Sequence, residues 1–422
     1  MVWYLLIAGA VVFAHLFITY GAIRNFHYVW VKMARKKRTR YRPATTLIVP
    51  CKGIDTRFLS NVQSFVEQEY ENYTLFFVVE AESDPAYAEL CRLRDRPASQ
   101  SHAREIRVLV AGRSRSSSQK IHNLLHAVSQ VPPESEVLAF ADSDISVPHD
   151  WLDHLVQPLY QPERGATTGY RWLVPTTPNP ATLAASALNG VVAQCLGNTP
   201  YNEAWGGSMA IRVADFHRLG IPEIWSRTLS DDLSLSRAVK QAGLKVAFVP
   251  QCLVASFEFF TWRRLFEFGR RQFLITRIYA PYMWWPGLVG SLGSVVGLWG
   301  SLAVAAYAAA VHAEHVALYA AVPVVLFAGQ ILRAVLRQIT MAVTLRQHLI
   351  RLAPAAAADI FGCWLWSIVL LVLMLSSAVG RTIRWRGIRY RLVSPTDIQI
   401  LEDRRVSGSL WQRMNPAKTD LL

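Results

Sequence analysis

The chain has 422 residues, of which 52% are hydrophobic, and a formal net charge of +14 at pH 7. A mean hydropathy of +0.20 is too high for an ordinary water-soluble enzyme of this length and predicts a soluble domain joined to membrane segments. The positive charge lies beside apolar segments, which favours an anionic lipid surface over nucleic acid as the partner. Five cysteines without Cys-x-x-Cys pairs indicate reduced thiols, not a zinc site or a disulfide framework.

The first segment, Trp3–Ile23, contains no Asp, Glu, Lys or Arg over 21 residues and is long enough to cross a bilayer. No basic residue precedes it and no small-residue cleavage site follows, which favours a membrane anchor (1–24) over a cleaved signal peptide. Basic residues follow it: Arg24, Lys32, Arg35, Lys36, Lys37, Arg38, Arg40 and Arg42. Because such an excess marks the cytoplasmic side, we expect the N-terminus outside and the next domain in the cytoplasm.

Short apolar runs then alternate with segments of helical periodicity. The predicted strands are Thr45–Pro50, Thr74–Val79, Ile106–Val110, Val137–Ala141, Ala166–Trp172, Gly206–Ile211 and Lys245–Val249. The predicted helices are Leu59–Gln68, Ile121–Val128, Trp151–Leu159, Thr182–Cys195 and Leu229–Ala242. This alternation indicates βαβ units and a parallel sheet, so we expect one α/β domain over 43–280.

Three uncharged stretches follow, Pro281–Val311, Val316–Leu332 and Ile360–Gly380. The basic segment between the last two, Arg333–Arg351, is interpreted as an amphipathic helix in the membrane interface. We therefore predict a transmembrane and interfacial region over 281–380 and a basic tail over 381–422. Three crossings would put the tail outside, whereas its arginines favour the cytoplasm, so we expect one middle segment to lie in the interface or to re-enter.

The apolar run Val137–Ala141 ends in Asp142-Ser143-Asp144. A continuous apolar run is typical of a strand buried on both faces of a sheet. Side chains two apart on such a strand point the same way, and open α/β sheets bind ligands at the carboxyl ends of their strands. Two carboxylates there suit a divalent cation shared with diphosphate oxygens, although a solvated acidic turn would have the same sequence.

Two helix starts carry further charged groups. Lys120 opens a helix after the polar loop 112–118 and either faces a diphosphate at the helix N-terminus or is a solvated surface lysine. Ser230-Asp231-Asp232 opens another, where Ser230 or Asp231 can act as an N-cap. A second carboxylate, Asp232, could then face a cleft and remove a proton from a hydroxyl as a general base.

Two segments admit two interpretations each. Trp205-Gly206-Gly207-Ser208 either lets the backbone approach a ligand or forms a tight turn. A run of arginines interleaved with aromatic residues could bind phosphates and stack a base or sugar, or anchor the chain at lipid headgroups. These arginines are Arg263, Arg264, Arg270, Arg271 and Arg277.

In this order, the segments resemble family 2 inverting glycosyltransferases with the GT-A fold, in the ceramide glucosyltransferase-like branch that includes hopanoid-associated bacterial relatives. The most specific matches are Lys120-Ile-His-Asn-Leu124 and Asp142-Ser-Asp-Ile145, and the tail segment Trp385-Arg-Gly-Ile-Arg-Tyr390 also resembles that branch. The resemblance extends from about residue 4 to 392. It implies a GT-A domain, which is Rossmann-like with a mostly parallel sheet, attached to helical transmembrane segments.

The resemblance also implies residue roles. Asp144, with Asp142, would hold Mg²⁺ or Mn²⁺ on the diphosphate of a UDP-sugar, and Asp142 would also lie against the ribose or sugar. Lys120 would meet the nucleotide. Asp232 would be the catalytic base.

Two departures from the family pattern leave roles open. The family's first aspartate should follow Thr74–Val79, but Ala81 stands at the direct match, so Glu80, Glu82 or Asp84 must substitute. The family's Gln/Arg-x-x-Arg-Trp motif should fall near 269–273, where Gln272-Phe273 occupies the Arg-Trp position. We expect Arg270 or Arg271 to serve instead, one or two residues early.

These observations predict a multi-pass membrane enzyme that moves a hexose from a UDP-sugar to a lipid hydroxyl, with inversion, at the cytoplasmic face of a bacterial inner membrane. One alternative is a processive polysaccharide synthase, which usually needs an intact arginine-tryptophan motif and more spans. Another is a non-catalytic membrane protein with a degenerate nucleotide pocket, which the retained Asp142, Asp144 and Asp232 oppose. No nucleic-acid partner is expected.

Overall fold

The structure is a computed structural model of the chain, and it describes residues 2–34, 41–55, 57–96 and 101–403. The basic residues Arg35, Lys36, Lys37, Arg38 and Arg40, and the tail after 403, lie outside the described residues. The chain divides into two compact units. The first comprises Met1–Arg35, Trp172–Thr199 and Phe257–Gly380, and the second comprises Lys36–Arg171, Pro200–Ser256 and Arg381–Leu422.

The second unit is built on a seven-stranded sheet among its described residues, in the order β3-β2-β1-β4-β6-β5-β7. Its strands are β1 (Thr45–Pro50), β2 (Tyr73–Val79), β3 (Glu105–Val110), β4 (Val137–Ala141), β5 (Arg164–Pro175), β6 (Ser208–Arg212) and β7 (Lys245–Glu258). The first four are parallel to one another, and β6 runs antiparallel to β4 and β5. This is the mostly parallel α/β sheet that the sequence predicts.

Helices cover both faces of this sheet, which explains why β4 is apolar at every position. They are α2 (Phe58–Val66), α3 (Pro85–Arg94), α4 (Gln119–Val128), α5 (Trp151–Val156), α7 (Val213–Arg218), α8 (Ile221–Trp225) and α9 (Asp231–Gln241). Alternate residues of β1 point to opposite cores: Leu47 lies in one with Phe65 and Trp151, and Ile48 in the other with Leu124 and Leu235. Such two-sided burial is typical of parallel sheets.

The sequence-based elements are largely confirmed, but three helices of this unit, α3, α7 and α8, were missed. Helix α3 has only a weak apolar stripe, with Ala86, Leu90 and Leu93 as its buried residues. Its start is fixed by Asp84, whose carboxylate accepts a hydrogen bond from the amide of Ala86, and by Pro85 in the first turn. Capping signals, not periodicity, define this helix.

The first unit consists of helices α1 (Val2–Ala34), α6 (Pro180–Ala193), α10 (Trp262–Tyr279), α11 (Pro281–Ala310), α12 (Val316–Thr344) and α13 (Leu349–Ser377). Among the described residues, four segments are long and apolar enough to cross a membrane: Trp3–Ala34, Pro281–Ala310, Val316–Thr344 and Arg346–Ser377. These helices identify the chain as a membrane protein. Helices α6 and α10 are not among those four segments.

The expected single interfacial helix over Arg333–Arg351 is not what the structure contains. Helix α12 continues through Arg333 to Thr344, a short 3-10 turn covers Arg346–His348, and Arg351 lies in α13. The guanidinium of Arg337 is buried, and its nitrogens lie 2.6 and 2.8 Å from the two carboxylate oxygens of Asp359 on α13. Because the charge of Arg337 is paired with Asp359 between the two helices, Arg337 does not have to face solvent. Helix α12 can therefore continue through this basic segment.

The basic tail contains three antiparallel strands, β8 (Thr382–Trp385), β9 (Ile388–Ser394) and β10 (Asp397–Asp403). Buried Ile388, Tyr390 and Leu392 alternate with arginines along β9, a period-2 pattern that predicts a strand. Compactness groups this sheet with the α/β sheet in the second unit. The domain bounds 43–280, 281–380 and 381–422 stay predictions.

Replacing Phe140 by alanine should destabilise the second unit by about 3–5 kcal/mol, because a buried aromatic ring leaves a cavity. Its ring lies 6.3 Å from that of Phe216 and 5.4 Å from that of Trp225, centre to centre. Denaturant unfolding of the purified protein in detergent measures this change. Leu59→Ala, at a side chain that is 53% exposed, is the control, and equal effects of the two substitutions would contradict the packing described.

Candidate functional site

The site is organised around the ammonium group of Lys120, on the first turn of α4. Its Nζ lies 2.8 Å from Oδ1 of Asp142 and 2.9 Å from Oδ2 of Asp231. It also donates a hydrogen bond to the carbonyl oxygen of Gly206 at 3.3 Å. Asp142 directly follows β4, Asp231 begins α9 and Gly206 precedes β6. Four segments that are distant along the chain therefore meet at one cation.

Burial and charge act against each other in this cluster. Burial lowers the pKa of Lys120, but Asp142, Asp231 and Asp232 outweigh it, so the pKa lies above its ordinary value and the ammonium stays charged. Burial raises the pKa of Asp142, but Lys120, and after it Arg171 and Arg386, lower it further than burial raises it. One ammonium thus faces the buried carboxylate of Asp231 and the half-buried one of Asp142 at neutral pH, leaving an excess of negative charge.

Asp231 is the more buried of the two carboxylates that Lys120 contacts. Burial raises the pKa of its carboxyl group to about 6, and Asp232 and Asp142 act in the same direction, against the opposing effect of Lys120. The sequence indicated Asp231 only as an N-cap. The sequence signal for its ion pair with Lys120 was the pair of consecutive aspartates at the helix start. Consecutive residues on a helix point in different directions, so Asp231 and Asp232 cannot both serve the same contact.

Asp232 lies beside this pair and has different partners. Its Oδ2 accepts a hydrogen bond from the amide of Gly206 at 3.1 Å. Its Oδ1 accepts one from the hydroxyl of Ser230 at 2.6 Å and one from the amide of Leu233 at 2.8 Å. Because Ser230 is the N-cap of α9, the Asp232 carboxylate is held at the positive end of that helix.

The glycines at 206 and 207 form a tight turn next to the cluster. Trp205 and Ser208 are bridged across it, with the Ser208 amide donating to the Trp205 carbonyl at 2.9 Å. A Cβ on Gly206 would collide with the Asp231 carboxylate and approach the Lys120 ammonium, and a Cβ on Gly207 would collide with the Trp205 indole. Of the two interpretations left open, the turn is the one that the packing supports directly.

Asp144 lies two residues beyond Asp142 in the same loop and is half-buried. Among the described residues, no group of three or more His, Cys, Asp or Glu side chains could hold a metal ion. Asp142 and Asp144 do fit a Mg²⁺ or Mn²⁺ site of the kind in which one or two carboxylates are completed by phosphate oxygens and water. The excess negative charge of the cluster favours such a cation.

The three acids after β2 have separate environments. The carboxylate of Glu80 lies 3.2 Å from Lys52 Nζ and 3.4 Å from Arg113 Nε. Asp84 accepts hydrogen bonds from the amides of Gly53 and Ala86 at 2.8 and 2.9 Å, so it caps α3. Glu82 is exposed. Glu80 is therefore the acid held among basic groups at the end of this strand.

The arginine segment lies on α10, in the first unit. Arg271 has its guanidinium 5.5 Å from the ring centre of Phe268. Arg270 donates to the carbonyls of Ser376, at the end of α13, and of Val379, just after it, at 3.1 and 3.0 Å. These contacts are internal to the unit. A nucleotide-binding role for Arg271 or Arg270 stays a prediction.

Two arginines near the cluster were not predicted from the sequence. The guanidinium of Arg171 lies 5.6 Å from the ring centre of Trp205. Arg386, in the turn between β8 and β9, donates to the carbonyl of Lys52 at 3.2 Å. Arg386 belongs to the basic tail segment that resembles the family, but nothing in the sequence linked either arginine to Asp142, so only the fold brings them near it.

The chain matches Glycosyl transferase family 21 over residues 9–398. It belongs to that family, and it is a glycosyltransferase. The fold class predicted from the sequence, a GT-A domain with apolar helices, is confirmed. No curated protein sequence is similar enough to count as a match.

Two solved structures resemble the chain at low identity. One is the mannosyltransferase PcManGT from Pyrobaculum calidifontis in complex with GDP-Man and Mn²⁺, with 15% identity, a TM-score of 0.44, and coverage of 88% of this chain and 97% of that one. The other is GalNAc-T7 with UDP, GalNAc and Mn²⁺, with 14% identity, a TM-score of 0.39, and coverage of 57% and 52%. Neither likeness is close enough to transfer a substrate or a residue role.

The raised pKa of Asp231 predicts a pH dependence of stability. A carboxyl group that titrates near pH 6 when folded and near pH 4 when unfolded favours folding most at low pH. Its contribution is lost as the pH rises from about 4 to 6, by about 3 kcal/mol. Asp231→Asn should remove this dependence.

The free energy of unfolding, measured at several pH values in that window, tests this expectation. Glu163→Gln, at an exposed carboxylate of the same unit, should keep the wild-type slope. A slope in Asp231→Asn equal to that of the wild type would show that Asp231 is not the group responsible.

Proposed function

We propose that the protein transfers a hexose from a UDP-sugar to the hydroxyl of a lipid, with inversion at the anomeric carbon. The observation that carries this proposal is the Lys120 cluster, in which one ammonium, the Asp142 carboxylate and the start of α9 converge at the carboxyl edge of the sheet. Open α/β sheets bind ligands at that edge.

The donor diphosphate needs positive charge when it leaves. Lys120 is fixed by two carboxylates and a backbone carbonyl, so it is already oriented before a substrate binds. Asp142 and Asp144 would hold Mg²⁺ or Mn²⁺, which when bound would neutralise the diphosphate leaving group. Glu80, held by Lys52 and Arg113, is proposed to take the place of the family's first aspartate near the nucleoside, in preference to exposed Glu82.

Asp232 is proposed as the general base. The lipid hydroxyl gives its proton to the Asp232 carboxylate while its oxygen attacks the anomeric carbon, and the bond from that carbon to the diphosphate oxygen breaks on the opposite side. Hydrogen bonds from Gly206 and Ser230 hold the carboxylate in one orientation, as a base must be held to act. In-line attack of this kind inverts the configuration.

A lipid acceptor is supported by the apolar helices in the same chain. A processive polysaccharide synthase remains the second candidate, but the altered arginine-tryptophan motif and the four candidate spans among the described residues speak against it. A degenerate, non-catalytic protein is opposed by the intact contacts of Lys120, Asp142 and Asp231.

Chain order and charge together support a membrane topology. The sheet β8–β10 belongs to the same unit as the α/β sheet, and Thr228 Oγ1 donates to the Pro395 carbonyl at 3.3 Å. Helices α11, α12 and α13 lie between these two parts along the chain. If both parts are on the same side of the membrane, an even number of these three helices crosses it. The segment 311–315 between α11 and α12 has no Lys or Arg, whereas basic residues lie near both ends of α13, at Arg346, at Arg351 in its first turn and at Arg381.

We therefore propose that α11 and α12 cross the membrane and that α13 lies along its cytoplasmic face, with the catalytic unit in the cytoplasm. In support, Leu373, Leu370 and Trp366 of α13 pack in one cluster with residues of α6 and α10, neither of which is among the helices suited to span. This arrangement accounts for the basic tail on the cytoplasmic side of a bacterial inner membrane.

Cysteine labelling in a cysteine-free background tests this topology. Glu314→Cys should react with a membrane-impermeant maleimide in intact cells, whereas Gln347→Cys and Thr396→Cys should react only after permeabilisation. All three positions are exposed in the structure. Reaction of positions 347 and 396 from opposite sides would mean that α13 crosses the membrane.

Substitutions separate the two proposed roles of the acids. Asp232→Asn should reduce sugar transfer by about 10²–10⁴-fold, the range typical of a general base, and leave UDP binding in the presence of Mn²⁺ unchanged. Asp144→Ala should lose both transfer and the Mn²⁺-dependent part of UDP binding. Asp95→Asn, at an exposed carboxylate, is the control.

The assay incubates membranes with a panel of labelled UDP-sugars and total lipid extract, and mass spectrometry identifies the product. A lipid carrying one hexose supports the proposal, and a polymer would replace it with polysaccharide synthesis. Near-wild-type transfer by either variant would overturn the corresponding role. Absence of any product and of nucleotide binding would favour the degenerate protein.

A further inference from the structure

The hairpin that follows the membrane helices has an unusual turn. Trp385 pairs with Ile388 across a two-residue loop, and both loop residues have positive φ, 47° at Arg386 and 84° at Gly387. This is the backbone of a type I′ turn, for which Asn-Gly is the preferred pair. Arginine is unfavourable at such a φ because of its Cβ. The turn itself therefore does not account for an arginine at this position.

The turn lies against the loop that follows β1. Arg386 Nη1 donates to the carbonyl oxygen of Lys52 at 3.2 Å. Strands β1 and β4 are parallel neighbours through Ile48 and Phe140, so Lys52 and Asp142 leave the sheet at the same edge.

A second contact holds the small sheet on the other side of the site. Pro395, between β9 and β10, accepts a hydrogen bond from Thr228 at 3.3 Å, two residues before Ser230 begins the cap of α9. The two turns of the β8–β10 sheet thus touch both the β1 loop and the segment that leads to Asp231 and Asp232.

The guanidinium of Arg386 has room for an anion. The residue is exposed, and no salt bridge joins it to a carboxylate in the part of the chain that the structure describes. The neighbouring cations already have carboxylate partners, since Lys52 and Arg113 share Glu80 and Lys120 is held by Asp142 and Asp231. A guanidinium held by one neutral carbonyl at the edge of a nucleotide site suits a phosphate group, which it can bind through two parallel hydrogen bonds.

We propose that Arg386 binds the diphosphate of the nucleotide-sugar donor, so that the hairpin after the membrane helices forms one wall of the donor site. This inference rests on the proposed function, because it assumes that the site takes a nucleoside diphosphate. It assigns to the tail segment a direct contact with substrate.

The test measures binding of UDP and of UMP to the full-length protein in detergent with Mn²⁺, by titration calorimetry. Arg386→Asn is the main variant, because Asn-Gly suits the turn better than Arg-Gly and should keep or raise hairpin stability. We expect its dissociation constant for UDP to rise about tenfold or more, the effect of losing one hydrogen bond between charged groups, and that for UMP to rise less. Arg386→Lys keeps the positive charge but lacks the planar guanidinium. Its dissociation constant for UDP should therefore lie between those of the wild type and Arg386→Asn.

Arg384→Ala and Arg389→Ala are matched controls, because both residues are exposed on the same two strands and pair with each other in register. They should bind UDP as the wild type does. Hydrogen exchange should also show protection of residues 384–389 when UDP and Mn²⁺ are added to the wild type.

The outcomes separate this inference from the proposed function. If the wild type binds UDP and Arg386→Asn binds it equally well, the role of Arg386 is wrong while the function stands. If Arg386→Asn weakens binding of UDP and of UMP equally, Arg386 supports the shape of the site and does not bind the diphosphate. That result would also overturn the inference. If the wild type does not bind UDP with Mn²⁺, both proposals fail.

Discussion

The ion pairs made by Lys120 are the interaction on which the site depends. Its ammonium and the carboxylates of Asp142 and Asp231 are all largely withdrawn from solvent, where an unpaired charge would be costly. Removing Lys120 would leave two carboxylates uncompensated, so the ammonium constrains the positions of both. They also constrain the backbone, since the turn at Gly206 can pass the cluster only without a side chain. A buried, preorganised cation of this kind is well suited to stabilise charge that develops on a leaving group.

The sheet explains how residues separated by more than a hundred positions reach this cluster. Strand β4 delivers Asp142 at its carboxyl end, and its antiparallel neighbour β6 starts there, which brings the Gly206–Gly207 turn alongside. Helices α4 and α9 both begin at this edge, Lys120 on one and Asp231 on the other. Helix starts carry partial positive charge, so carboxylates and, by extension, a diphosphate are favoured at the same place.

The C-terminal sheet gives the chain a second link between its membrane helices and its α/β sheet. In the topology proposed above, the chain leaves the second unit after β7 and returns to it at β8, so the helices between bring it back to the side of the membrane from which it started. This explains why a simple count of apolar segments conflicts with the charge of the tail. Long apolar helices need not all cross, since a helix packed against α6 and α10 buries apolar surface against protein as well as lipid.

The sequence by itself determined the α/β class, the seven strands of the α/β sheet, the apolar helices and the identity of the charged segments, but not the strands of the C-terminal sheet. Hydrophobic periodicity and helix-capping residues are local signals, and local signals are read directly from the order of residues. It indicated Lys120, Asp142 and Asp232 because each stands at the end of a predicted element. Only the tertiary structure decided that Asp231 pairs with Lys120, that Gly206 is required by that pair, and that Arg386 reaches the same edge. Those facts depend on which loops the fold brings together. A contact between residues that are far apart along the chain cannot be predicted from the local spacing of residues.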